Sequence, residues 1–231
     1  MSKNVKIILA TVVVVLVAGG AGFWYFVLRD DAPAKASLDA IDQGGSSTTT
    51  GGKPATLDGT WKVQQGEDVF VGYRVQELFA GDTIKKTAAG RTPKVDGSMT
   101  IAGDQVSKVD ITADVTQLKS DQARRDAAIT MRGLQTQQFP KATFALTKPI
   151  TLPSTDQNKE LDLTATGDLT LHGETKSVDV ALKAEWDGSV VKVAGSTPIA
   201  FADYGIDTIE IPGFVKTDDN GTMELQLLFS K

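Results

Sequence analysis

From Leu57 to the C-terminus, apolar residues return at a two-residue period almost everywhere, and this period constrains the fold more than any other feature of the chain. Val69-Val71-Tyr73-Val75, Val95-Gly97-Met99-Ile101, Val109-Ile111-Ala113-Val115, Val178-Val180-Leu182-Ala184-Trp186 and Met223-Leu225-Leu227-Phe229 all alternate with polar neighbours. Successive side chains of a strand point to opposite faces, so each run predicts a strand with one apolar face. Phe144-Leu146, Leu161-Leu163-Ala165, Leu169-Leu171, Val191-Val193 and Ile199-Phe201 extend the pattern. Asp96-Gly97, Gly103-Asp104, Asp187-Gly188 and Asn220-Gly221 punctuate it as turns, the last as a two-residue hairpin turn. So many half-apolar strands hide their edges most economically in a barrel or a two-sheet sandwich.

One stretch breaks the period. Over Ser120 to Leu134, Ala123, Ala127, Met131 and Leu134 recur at helical spacing, Ser120 or Asp121 is placed to cap the N-terminus, and Gly133 offers a left-handed stop. Arg124, Arg125 and Asp126 on this helix read as a solvated face with an internal ion pair, with an anion site as the alternative.

The N-terminus obeys different rules. Ile7 to Leu28 is a run of 22 uncharged residues, and at about 1.5 Å per residue it spans a hydrocarbon layer about 30 Å thick. Lys3 and Lys6 precede it while Arg29, Asp30 and Asp31 follow, an asymmetry that keeps the short N-terminus cytoplasmic and puts the rest of the chain outside. The aromatic cluster Phe23 to Phe26 suits the far interface. The reading is a single-pass anchor over residues 1–28 in the cell membrane. The rival is a signal peptide cleaved near Ala18 to Gly22, which would leave a secreted domain. Residues 29–56, with the tract Gly44 to Gly52, read as a flexible linker, a coil about 30 Å from end to end. Residues 57–231 form the folded domain.

Composition removes several function classes. A net charge of -5 gives no footing on a phosphate backbone, so nucleic acid is not an expected partner. With no cysteine there is no disulfide, thiolate nucleophile or zinc-thiolate site. His172, the sole histidine, stands in a His-Gly turn, and no serine forms a Gly-x-Ser-x-Gly elbow. Asp203, Asp207 and Glu210 match no ligand spacing, and Asp218-Asp219-Asn220-Gly221 lacks the glutamate that would complete a calcium loop. No catalytic residue, metal or cofactor is assigned, and the chain is not read as an enzyme.

Two longer motifs carry a family resemblance. Arg125-Asp126 is followed by Phe139-Pro140-Lys141-Ala142-Thr143-Phe144, and Gly167 to Val180 reads GDLTLHGETKSVDV. With Tyr73 to Glu77 and Gly90 to Ser98 ahead of them in order, the domain from Leu57 onward resembles the YceI family. The chain departs from the family's pattern at Glu77, where a histidine is frequent, and at Glu174 and Ser177. The resemblance implies an all-β fold: an extended lipocalin-like antiparallel β-barrel with one inserted α-helix, here preceded by a transmembrane helix and a disordered linker. It also implies a lumen holding a long-chain isoprenoid or quinone-like lipid as carrier, store or scavenger. The lining residues expected are Val71, Tyr73, Met99, Ile111, Phe144, Leu169, Leu171, Val180, Trp186 and Phe229, the large apolar members of the alternating runs. Arg91, Arg125 and Tyr204 are headgroup candidates at the rim. The partners expected are the lipid and, through residues 7–28, the membrane. The competing reading is a cell-surface protein-interaction module with a packed core and no ligand.

Overall fold

The structure, a computed structural model, describes residues 32–42, 56–79, 84–211 and 215–231. Its strands are β1 (Gly59–Val63), β2 (Phe70–Phe79), β3 (Ile84–Thr92), β4 (Val95–Ala102), β5 (Gln105–Asp114), β6 (Lys119–Ser120), β7 (Lys141–Leu146), β8 (Ile150–Thr151), β9 (Leu161–Leu171), β10 (Glu174–Trp186), β11 (Val191–Ala200), β12 (Glu210–Ile211) and β13 (Val215–Ser230). Helix α1 (Ala123–Ala128) runs on into a π-helical turn, Ile129–Gly133.

Every pairing is antiparallel. The order β1-β4-β5-β7-β9-β10-β11-β13 returns to β1 through Lys62↔Ser230 and Val63↔Phe229, which closes a ring of eight strands. The 16-residue β13 is longer than β1, and beyond Gln226 it pairs with β2, from Gln226↔Phe70 to Val215↔Phe79. β2 pairs with β3, and β3 pairs only briefly with β6, through Gly90 and Arg91. The barrel therefore has two halves. The lower is a closed ring; in the upper, β5 and β7 stop at Asp114↔Lys141 and the chain between them, including α1, stands where strands are missing.

Inward residues of the lower ring make the main core, around Trp61, Val95, Met99, Val180, Leu227 and Phe229. The Trp61 indole is fully buried and donates to the Leu57 carbonyl at 2.8 Å. The β9–β10 hairpin turns at His172 and Gly173 with φ of 53° and 82°, the positive pair that a type I′ turn requires.

Several sequence expectations need correction. Asp96-Gly97 is not a turn: both residues lie inside β4 opposite Thr112 and Ile111. Nor is Asn220-Gly221 a hairpin turn. It lies within β13 at a register shift between Thr217 and Gly221, because β2 pairs with both flanks while β11 pairs from Asn220 onward, which leaves the extra residues to bulge. A Cβ at Gly221 would sit 2.8 Å from the Arg74 carbonyl, so glycine serves a close backbone approach there. On α1 the cap is Gln122 without a side-chain bond, and Asp126 instead accepts from the Ser120 amide and hydroxyl at 2.8 and 2.7 Å. The positive φ after the helix falls on Gln135, not Gly133. Ala123, Ala127 and Met131, expected on the apolar face, are exposed, while Arg125, Ala128 and Ile129 are half-buried. Arg125 sets this orientation by reaching across to Glu77 on β2.

The linker expectation also changes. Residues 32–42 lie against the outer wall of the barrel: Leu38 and Ile41 are buried against Ala194 and Leu228. The remaining linker residues, 29–31 and 43–55, and the expected anchor, 1–28, lie outside the described residues. Among the described residues no helix is long and apolar enough to cross a membrane.

Candidate functional site

The interior of the barrel holds two adjoining cavities, which share Val71, Ala142 and Met223 on their walls. The lower one is narrow, about 130 Å³, because the closed ring draws its side chains together. The upper one measures about 1110 Å³. It lies between β2, β3, the first half of β13 and α1, where no strand completes the ring.

All ten residues expected on the lumen face it. Met99, Ile111, Phe144, Leu169, Val180, Trp186 and Phe229 line the lower cavity, Tyr73 and Leu171 the upper, and Val71 both. Tyr73 is the next inward position on β2 after Val71 and lies opposite Gly90. The ring occupies the space a side chain would take there, since a Cβ at Gly90 would come within 2.5 Å of it.

Two inward steps beyond Tyr73 stands Glu77, held by Arg125 of α1 through Nε at 2.8 Å and Nη2 at 2.9 Å. The Arg125 side chain is 13% exposed and that of Glu77 11%, so this is an ion pair inside the cavity wall and not a solvated helix face. Burial opposes the Arg125 charge, but the hydrogen bond and charge of Glu77, helped by Asp121, more than offset it and hold the guanidinium pKa above its ordinary value. Arg125 also donates to Asp121. Burial likewise raises the Tyr73 phenol, which stays neutral as a hydrogen-bond donor. Its hydroxyl is enclosed and has no partner among the described residues. The Trp186 Nε1 of the lower cavity is in the same state.

The other two headgroup candidates stand elsewhere. Arg91 lies on the outer wall, bonded to Glu224 at 2.9 Å and stacked 3.8 Å over the Phe70 ring. Tyr204 is buried beside Leu169 and Ile199 but lines neither cavity. Next to it, His172 Nδ1 sits 2.9 Å from the Tyr204 carbonyl and its ring meets Phe139 edge-on, which fits a turn residue. Among the described residues no three carboxylate, histidine or cysteine side chains gather as metal ligands. The sequence reading missed much of the upper wall: Ile129 and Leu134 from the helical segment, Phe201 and Ile206 from the turn after β11. Phe201 belonged to an alternating run and Leu134 to the helical spacing, but neither pattern told that they face a cavity, and Ile129 and Ile206 follow no period at all.

An eight-stranded antiparallel barrel with two adjoining interior cavities and a helix across one end defines the class of fold. The YceI-like domain model matches residues 42–229, and the chain belongs to that family. A UPF0312 protein of an Enterobacter species is 30% identical over 175 residues, covering 71% of this chain and 83% of the relative. Protein YceI of Escherichia coli O157:H7 is 29% identical over 155 residues, 63% of this chain and 74% of the relative. Two solved structures share the fold. A polyisoprenoid binding domain from Saccharophagus degradans, implicated in plant cell wall breakdown, superposes with a TM-score of 0.57 at 12% identity, over 74% of this chain and 97% of the other. BcnA of Burkholderia cenocepacia gives 0.52 at 17% identity, over 68% and 95%. The family is one of binding proteins and not of enzymes, and the non-enzymatic reading stands on that membership.

Proposed function

We propose that this protein holds one long-chain isoprenoid or quinone-like lipid in its lumen, as an extracytoplasmic carrier, store or scavenger tethered to the cell membrane by residues 7–28. The observation that carries the reading is the unfilled upper cavity of about 1110 Å³ running into an apolar lower one. A packed, ligand-free interaction module has no use for such a void, since each missing contact weakens the core. Enclosing an alkyl or prenyl chain contributes about 0.8 kcal/mol per methylene without directional bonds.

The polarity of the walls orients the ligand. The lower cavity offers apolar side chains to a tail, whereas the upper offers the free Tyr73 hydroxyl and the Arg125–Glu77 pair to a polar head. Glu77 stands where the family frequently has histidine, and it already neutralises Arg125, so this pair offers the head hydrogen bonds and not a net charge. Similarity to a structure described as polyisoprenoid-binding supports the same class of ligand. Competition of a prenyl quinone, a prenyl alcohol and a prenyl phosphate of equal length against a fluorescent fatty probe tests this. Displacement by the quinone and the alcohol is expected. Failure of all three to displace the probe would contradict the reading.

A further inference from the structure

The outer wall carries a charged cluster that would be out of place on an exposed barrel face. Glu224 points outward between the inward Met223 and Leu225, yet it is 2% exposed. Arg74 Nε and Arg91 Nη2 each reach its carboxylate at 2.9 Å. Residues 32–42 bury this cluster and complete it. The Ala36 amide donates to Glu224 at 3.4 Å, the Ser37 amide to Gln226 at 3.1 Å, and both arginines donate to the Ala34 carbonyl, Arg74 at 2.7 Å. Arg74 donates to the Pro33 carbonyl as well. The segment precedes the family-matched residues 42–229 almost entirely, so it is an addition to the barrel.

Its direction is fixed by these partners. Residues 33–36 sit beside Arg74 and Glu224, Ser37 beside Gln226, and Leu38 and Ile41 beside Leu228. Going back toward the N-terminus, the strap therefore climbs β13 from its lower-cavity half toward its upper-cavity half. From the level of Arg74 to the rim at Phe79 is five residues of β2, about 17 Å along a strand and about 13 Å along the axis of a barrel whose strands tilt by about 40°. Between Leu28 and Ala32 stand only Arg29, Asp30 and Asp31, and four fully extended steps span about 13–14 Å.

We propose that residues 32–42 are a latch that turns the mouth of the upper cavity onto the lipid surface in which residues 7–28 are anchored. The latch rests on the tethered reading of the function. It replaces a coil about 30 Å long with a tether too short to let the rim leave the membrane surface. Met131, 68% exposed on the helical segment beside the exposed Arg132, suits that surface: an apolar side chain for the acyl boundary and a cation for anionic headgroups. A lipid would then pass between bilayer and lumen with little exposure to water.

The chain has no cysteine, so single labels can be placed by Met131→Cys at the helical end and by Ser189→Cys in the turn at the opposite end of the barrel. Full-length protein is reconstituted into phosphatidylethanolamine–phosphatidylglycerol vesicles carrying a headgroup quencher. Strong quenching at 131, weak quenching at 189, and loss of the difference on combining Leu38→Asp with Ile41→Asp are expected. Replacing residues 33–41 by glycine and serine gives a second unlatched form, with a thermal melt showing that the barrel persists. Equal quenching at the two sites, or a difference that survives both unlatched forms, overturns the latch and leaves the tether standing. Protein that does not stay with the vesicles overturns the tether reading, and the latch with it.

Discussion

The lower and upper halves of this barrel are built from the same alternating strands, yet one is packed and the other hollow. In the lower half eight strands close on themselves, and Trp61, Met99, Val180 and Phe229 meet across a ring that leaves only about 130 Å³. In the upper half β13 changes partner from β1 to β2, β5 and β7 end early, and α1 with its π turn spans the opening around about 1110 Å³. Apolar periodicity alone therefore does not separate a core from a container. Closure does, because a ring of fixed strand number sets the distance across which side chains must meet.

Substitutions that treat the two halves differently probe this contrast. The largest effect is expected for Trp61→Ala, at about 3–5 kcal/mol of stability in chemical denaturation, since it empties the packed ring. In the upper half the dominant effect is expected from charge. Arg125→Ala leaves Glu77 without its partner inside the wall and costs about 3 kcal/mol, and combining Arg125→Met with Glu77→Leu restores most of it. If the double substitution is as unstable as the single one, the pair is not what holds α1 over the opening. Overpacking gives a smaller contrast. Val180→Phe, in the ring, is expected to cost about 1–3 kcal/mol, whereas Val75→Phe, facing the void, costs less than about 1 kcal/mol and lowers lipid uptake. Equal costs would mean that the upper cavity is collapsed in solution.

The smallest expected effect concerns pH. Burial raises the Tyr73 pKa in the folded chain above the ordinary value of 10.0. The unfolded chain therefore loses this proton first as pH rises. The contribution is complete below about pH 10 and is lost above it, as pH climbs toward the folded value. Tyr73→Phe is expected to reduce the alkaline loss of stability while changing little at neutral pH. An unchanged alkaline profile would place the tyrosine in water.

Much of this molecule was legible in the sequence, and the boundary of legibility falls along the same division. The two-residue period marked the strands, and the Val71, Met99, Phe144, Val180 and Phe229 parities match the inward face. The His172-Gly173 turn was equally plain. The features that stayed hidden depend on long-range pairing. Asn220-Gly221 carries a hairpin signature, but β11 and β2 pair with β13 there and carry it through as a strand with a bulge. Arg125 looked like an ordinary helix cation because its partner, Glu77, lies 48 residues away. Residues 32–42 have linker composition, yet Leu38 and Ile41 find buried places against Leu228 and Ala194. Arg91 and Arg74 point outward for the same reason: Glu224, not a ligand, receives them.

The central claim is that the upper cavity is an occupied lipid site. Native mass spectrometry of the full-length protein, purified from its membranes without harsh detergent, tests it most directly. One long-chain isoprenoid or quinone-like lipid per chain is expected, with occupancy falling when Val71→Trp narrows the junction of the two cavities. A lipid-free mass for both proteins would contradict it.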